Sequence, residues 1–170
     1  MSNGKLIHKG NLIELHEEPV QLRDGGQTYF DIVKHPGGAV IVAINDKDEV
    51  CLLKQYRHAV REHIWELPAG CLEPNEPPLE TAKRELTEET GWTAGKIQPL
   101  FDYFVSPGIL DEKMYAFVAT ELVEGNQNLM ADEEITTLSA SLEEALDWVR
   151  DGKILDAKTI ATLLYYDRFR

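Results

Sequence analysis

Cysteine is scarce: the 170 residues include two, Cys51 and Cys71. Neither belongs to a CxxC pair, which argues against a thiolate zinc site. Two reduced thiols fit a reducing compartment. Positive charge is also short, with 17 Lys and Arg against 30 Asp and Glu and a net charge of −13. A surface this acidic repels a nucleic-acid backbone, so general DNA or RNA binding is disfavoured. Long apolar runs are missing. No stretch approaches the roughly 18 apolar residues of a membrane span. Met1-Ser2-Asn3-Gly4-Lys5 lacks the apolar core of a signal peptide. These absences lead to the expectation of a cytoplasmic protein that binds neither nucleic acid nor membrane. A phosphate-bearing substrate stays possible, provided cations offset the repulsion where it binds.

The chain carries no repeat and no low-complexity run. Residues 5–35 read as a small antiparallel strand set, with Leu12–His16 and Tyr29–Val33 flanking a turn at Asp24-Gly25-Gly26. Strands follow at Ala39–Ile44 and Val50–Tyr56, then a short one at Ile64–Leu67. A helix is expected over about Pro77–Thr90, with Asn75 as cap and Gly91 as stop. Further strands are expected at Ile97–Val105 and Lys113–Leu122, and helices at Leu142–Arg150, capped by Ser141, and about Ala157–Tyr166. That order implies an α/β or α+β sandwich with a mixed sheet between helices. It divides into an N-terminal strand segment, 1–36, and a main domain, 37–170.

The informative segment is Gly70–Trp92. Leu79, Ala82 and Leu86 fall at helical spacing and are expected to form the buried stripe. Glu85, Glu88 and Glu89 stand at i, i+3 and i+4, which sets three carboxylates side by side. Charge runs usually mark a solvated face. Here no lysine partners the glutamates, and a divalent cation would relieve their repulsion. Hard oxygen donors without His or Cys among them suit Mg²⁺ or Mn²⁺. Gly70 permits a tight turn and close ligand approach. The helix N-terminus adds free N–H groups. A cation so held stabilises charge on phosphorus oxygens and lowers the pKa of an attacking water.

The same segment resembles the Nudix box. Gly70, Glu76, Arg84-Glu85-Leu86, Glu88-Glu89, Gly91 and Trp92 occupy every position of that pattern, Trp92 being bulkier than the usual aliphatic residue. The resemblance implies a Nudix α/β/α sandwich. It implies Glu85 and Glu89 as principal metal ligands, Glu88 sharing a metal, and the Ala69 carbonyl as an extra ligand. Arg84 and Glu76 would support the site by pairing and orienting those ligands.

Outside the box, Ser106-Pro107-Gly108, followed by Asp111-Glu112, resembles the marker of the ADP-ribose pyrophosphatase subfamily. Gln55-Tyr56-Arg57 and Trp65–Gly70 also look like its stretches, and enzymes acting on GDP-mannose share much of this pattern. Arg57 can clamp a phosphate bidentately. Glu66 either accepts from a base or ribose or orients Arg57. Tyr29, Phe30 and Trp65 are candidates to stack on a base, against an ordinary core role. The five histidines, His8, His16, His35, His58 and His63, form no convincing pair and are expected at the surface. The resemblance assigns the general base to an acidic loop, where Ile135 points to Glu133, with Glu134 second. It also implies a homodimer, the N-terminal strands packing across a two-fold axis.

Three functions follow. The first is a diphosphatase for nucleotide sugars, ADP-ribose before GDP-mannose. The second is a hydrolase of damaged nucleoside triphosphates or capped RNA, which the negative charge and Ser106-Pro107-Gly108 disfavour. The third is a non-catalytic nucleotide-sugar sensor, for which a complete carboxylate trio would be superfluous.

Overall fold

A computed structural model describes residues 4–130 and 134–170. Glu133, the first candidate for the general base, lies outside the described residues. The first three strands, β1 (Lys5–Lys9), β2 (Glu14–Gln21) and β3 (Gln27–Lys34), form an antiparallel sheet of their own. β1 was not separable from sequence within the expected strand set. Two further sheets build the main body. One has the order β7 (Ala69–Cys71), β4 (Gly38–Ala43), β9 (Lys113–Val123), β8 (Thr93–Phe104), with β4 and β9 parallel. The other has the order β10 (Ile135–Ser141), β5 (Glu49–Arg57), β6 (Glu62–Glu66) and is antiparallel. Pro99 is tolerated because β8 is an edge strand, and its register shifts there.

β4 is buried along its whole length, and its two faces feed two cores. Val40 and Val42 join Val50, Leu52, Ala145 and Leu163, beneath α2 (Leu142–Arg150) and α3 (Ala157–Phe169). Ala39, Ile41 and Ala43 join Cys51, Leu53, Ala82 and Leu86, beneath α1 (Pro78–Thr90). Helices therefore cover both sides of the strands, as an α/β/α sandwich requires. Ser141 caps α2 by accepting from the Glu144 N–H, as expected. Asp156 caps α3 in the same way through Thr159.

α1 departs from expectation in two respects. Asn75 is not its cap: Asn75 takes a left-handed conformation at φ 67°, and Pro77 is the N-cap with no side-chain bond. Leu79 is not in its buried stripe. Leu79 is 36% exposed, whereas the buried face holds Thr81, Ala82, Glu85, Leu86, Glu89 and Thr90. Gly91 ends the helix at φ 77°, its N–H bonded to the Thr87 carbonyl. Residues 135–141, read as loop, are strand β10, paired along its length with β5.

The N-terminal segment meets the body at a seam beside residues 109–111, and Leu12, between β1 and β2, reaches the wall of a cavity shared with Glu85, Glu88 and Glu89. Val33 donates to the Ile109 carbonyl and accepts from the Asp111 N–H, and the Asp111 carboxylate accepts from the His35 N–H. The sheet leaves Leu6, Ile7, Leu12, Tyr29 and Phe30 exposed, Tyr29 by 58%.

Candidate active site

Burying carboxylates on a helix face is costly unless something compensates. Glu85 is 8% exposed and Glu89 2%. Glu89 Oε2 accepts the Ala69 N–H at 2.8 Å, which ties α1 to the short strand β7. Arg84 supplies the nearest cation. Its Nη1 lies 2.6 Å from Glu85 Oε1 and 3.1 Å from Glu88 Oε2, while Nε and Nη2 hold Glu76 at 3.0 and 2.9 Å. Thus Glu76, Arg84, Glu85 and Glu88 form one charged chain. Gly70 packs against this chain so tightly that a Cβ there would land on the Glu85 carboxylate. Any larger residue at position 70 would have to push the Glu85 carboxylate aside, so space and not φ favours glycine there.

The face opens into a cavity of 620 Å³, lined by Glu85, Glu88, Glu89, Arg84, Arg57 and Ala69 among others. The three glutamates share it, yet among the described residues no three His, Cys, Asp or Glu groups converge on one point as metal ligands do. Arg84 bridges Glu85 and Glu88 on this face. The donor set nevertheless fits a hard divalent ion: carboxylate oxygens, a backbone carbonyl at Ala69, and no soft ligand among them.

A second cavity of 290 Å³ shares Arg57, Ala69, Gly70 and Cys71 with the first. Arg57 stands where the two meet. Its Nε and Nη2 donate to the two oxygens of Glu66 at 2.6 and 2.7 Å. Lys158, on α3, binds the same carboxylate and also Asp156 at 3.0 Å. Glu66 is 1% exposed. Burial pushes its pKa up, but the hydrogen bonds and charges of Arg57 and Lys158 outweigh that and hold it below the usual carboxylate range. Both oxygens of Glu66 are thus engaged by Arg57, and one of them by Lys158 as well.

The remaining candidates scatter. Glu112 lines the 290 Å³ cavity. Ser106, Pro107 and Gly108 form an exposed turn in which the Ser106 carbonyl accepts from Ile109 and Leu110. That turn lines neither cavity, although Pro107 flanks a separate hollow beside Ile32 and Phe104. Tyr29 is on the exposed sheet, away from both cavities. Trp65 packs on Trp148, ring centroids 5.1 Å apart, as part of the core. Glu134 is 79% exposed in its side chain, 3.5 Å from His63.

Two groups escaped the sequence. Lys158 had no motif around it; only α3 docking against β4 brings it to Glu66. His35, expected at the surface, has an 8% exposed side chain. Its Nδ1 accepts the Gly37 N–H at 3.0 Å, and Nε2 lies 3.8 Å from Cys71 Sγ. Burial pushes the Cys71 thiol up, with Glu112 and Glu85 adding to the effect, so it is a poor nucleophile.

Glu76 carries a pH prediction. Arg84 holds its pKa down from 4.5 to about 2. The folded state therefore keeps Glu76 charged where the unfolded chain protonates it. That contribution is complete above pH 4.5 and is lost as pH falls towards 2. Glu76→Gln is expected to shrink the acid loss of thermal stability across that window, as read by unfolding scans from pH 5 to 2.

Glu85 and Glu89, nearly buried, share this cavity with Glu88, Arg84 and Arg57, so its wall carries charges of both signs. Residues 34–163 match the NUDIX domain, and the chain belongs to the Nudix family as a Nudix hydrolase. It is 39% identical over 161 residues to an ADP-ribose pyrophosphatase of Bacillus subtilis, covering 94% of this chain and 87% of that one. It is 35% identical to a methanol dehydrogenase activator of Bacillus methanolicus, over 94% and 87%. A GDP-mannose pyrophosphatase of an Enterobacter strain is 32% identical over 79% of this chain and 75% of its own. A crystal structure of an ADP compounds hydrolase superposes with a TM-score of 0.86, covering 98% of this chain and 91% of that chain at 20% identity, and shows the same fold.

Proposed function

We propose that the chain hydrolyses the diphosphate linkage of nucleoside diphosphate sugars, ADP-ribose first, giving AMP and ribose 5-phosphate. GDP-mannose and other nucleotide sugars come second. The carrying observation is the pair of cavities meeting at Arg57, one bearing the carboxylate face of α1. A ligand with a diphosphate at its middle and a group at each end suits a two-part cavity with its cation donors and its arginine at the junction. The names of the Bacillus subtilis and Enterobacter relatives support the same substrate class.

Glu85, Glu88, Glu89 and the Ala69 carbonyl are the proposed holders of Mg²⁺, with Mn²⁺ as substitute. When bound, the cation neutralises phosphate charge and makes water more acidic. The chain's own residues do the rest. Arg57, aimed by Glu66 and Lys158, offers its remaining N–H groups to a phosphate oxygen. Arg84 and Glu76 keep Glu85 and Glu88 in place. Glu112 and the 106–108 turn, with Tyr29, are proposed substrate contacts. Those distant from both cavities need a second copy to act, which favours a homodimer through residues 1–36. Glu133 is the proposed base that takes a proton from the attacking water while the bridging P–O bond breaks. A cytoplasmic location is part of this reading; among the described residues no helix is long and apolar enough to cross a membrane.

Protein stripped with a chelator is expected to leave ADP-ribose intact and to recover on adding Mg²⁺ or Mn²⁺. Hydrolysis that persists without any divalent ion overturns the cation assignment. Glu133→Gln is expected to lower kcat about 10²- to 10⁴-fold with little change in substrate affinity, since a base acts mainly in the transition state. A larger loss in Glu134→Gln moves the role one residue on.

A further inference from the structure

β5 runs from the core into the active site. Its inward residues alternate: Cys51 and Leu53 are apolar and packed under α1, and Gln55 and Arg57 then line the 620 Å³ cavity. Lys54 and Tyr56, between them, are exposed. Gln55 is an unusual residue to place there. It is 6% exposed, held between Ile135 of β10 and Ile64 of β6 in register. Its Oε1 is shut off from solvent and accepts no hydrogen bond from the described residues. Buried amide groups in folded proteins almost always have partners, and an orphan asks for an explanation. An apolar residue would continue the pattern of Cys51 and Leu53 at no such cost.

The cavity supplies the explanation. Gln55 faces the same space as Glu85, Glu88 and Glu89. The terminal amide torsion of glutamine is soft and roughly two-fold, so either end can turn to the cavity without moving the strand. A neutral carbonyl beside carboxylates is suited to a hydrated cation: it accepts from the ion's water and adds no charge to an already acidic wall. Magnesium in particular keeps several waters when bound by carboxylates. We propose that Gln55 is a positioning residue of the cation site, its side-chain carbonyl accepting from water carried by the divalent ion on Glu85 and Glu89. The inference rests on the cation reading above. It adds that β5 supplies part of the binding, and that the orphan amide is retained for the ligand at the expense of the free protein.

Mn²⁺ binding to the full chain, followed by electron paramagnetic resonance without substrate, tests this together with thermal unfolding in chelator. Gln55→Met keeps the length and removes the polarity. Its Mn²⁺ dissociation constant is expected to rise about five- to tenfold, the worth of one hydrogen bond. Its cation-free melting temperature is expected to be unchanged or higher by about 2–4 °C, because an unsatisfied group has gone. Gln55→Glu is expected to bind Mn²⁺ at least as tightly as the natural protein while melting lower without it. Unchanged Mn²⁺ affinity in Gln55→Met overturns the proposal. So does a fall in its cation-free stability, or failure to fold, since either makes the amide an ordinary structural group. If the natural protein binds no Mn²⁺, the cation reading falls and this inference with it; if only the variant comparison fails, the cation reading stands.

Discussion

Glu89→Gln is expected to lower kcat about 10³-fold, since a bound cation supplies several kcal/mol of transition-state stabilisation and each 1.36 kcal/mol is tenfold. The fold should survive. Glu89 is 2% exposed and one of its oxygens accepts from the Ala69 N–H, a bond that the amide oxygen of glutamine can keep. The change also removes one of the three like charges that α1 presents to the cavity, so the melting temperature in chelator should hold or rise. Its rise on adding Mg²⁺ should shrink, because a ligand stabilises only through its affinity for the folded state. Steady-state turnover and paired melting scans check both. Near-native turnover at saturating Mg²⁺ would remove Glu89 from the cation site.

Removing residues 1–35, so that the chain starts at Pro36, is expected to convert a dimer into a monomer and to abolish most turnover. The N-terminal segment touches the body at the seam of Val33, Ile109 and Asp111, places Leu12 on the wall of the cavity, and leaves Leu6, Ile7, Tyr29 and Phe30 exposed. None of the residues of these three strands is buried, so the sheet has no core of its own, and exposed apolar clusters of this kind mark interaction sites. A two-fold axis would cover the sheet and bring Tyr29 towards a partner's cavity. Light scattering at micromolar concentration gives the mass of each chain. A monomeric intact protein contradicts the arrangement; a dimeric truncated chain moves the interface into the main domain.

Much of the site was legible because its signals are local. The spacing of Glu85, Glu88 and Glu89, the stop at Gly91 and the cap at Ser141 depend on residues within one or two turns. What depends on distant contacts was not. Leu79 looks like core by hydrophobicity, but β4 and β7 approach the opposite edge of the helix and bury Glu85 and Glu89 instead. Residues 135–141 show no apolar alternation, since only Ile135 and Ala140 of that strand are buried, and β5 alone makes them a strand. Lys158 reaches Glu66 across 92 positions, and Gln55 shows its orphan carbonyl only once β5, β6 and β10 are side by side. The acidic charge of the chain was a useful guide in one respect: two anionic clusters at the cavities are threaded by cations, Glu76, Glu85 and Glu88 by Arg84, and Glu66 by Arg57 and Lys158.

The reaction proposed for this site is cleavage of the diphosphate of a nucleotide sugar. Incubation of the full-length protein with Mg²⁺ and ADP-ribose, GDP-mannose, other nucleotide sugars or nucleoside triphosphates in parallel, with products identified by mass, tests it directly. The expected result is AMP and ribose 5-phosphate from ADP-ribose at the highest kcat/KM, with slower release of nucleoside monophosphate and sugar phosphate from other nucleotide sugars. Intact nucleotide sugars beside hydrolysed triphosphates would contradict it.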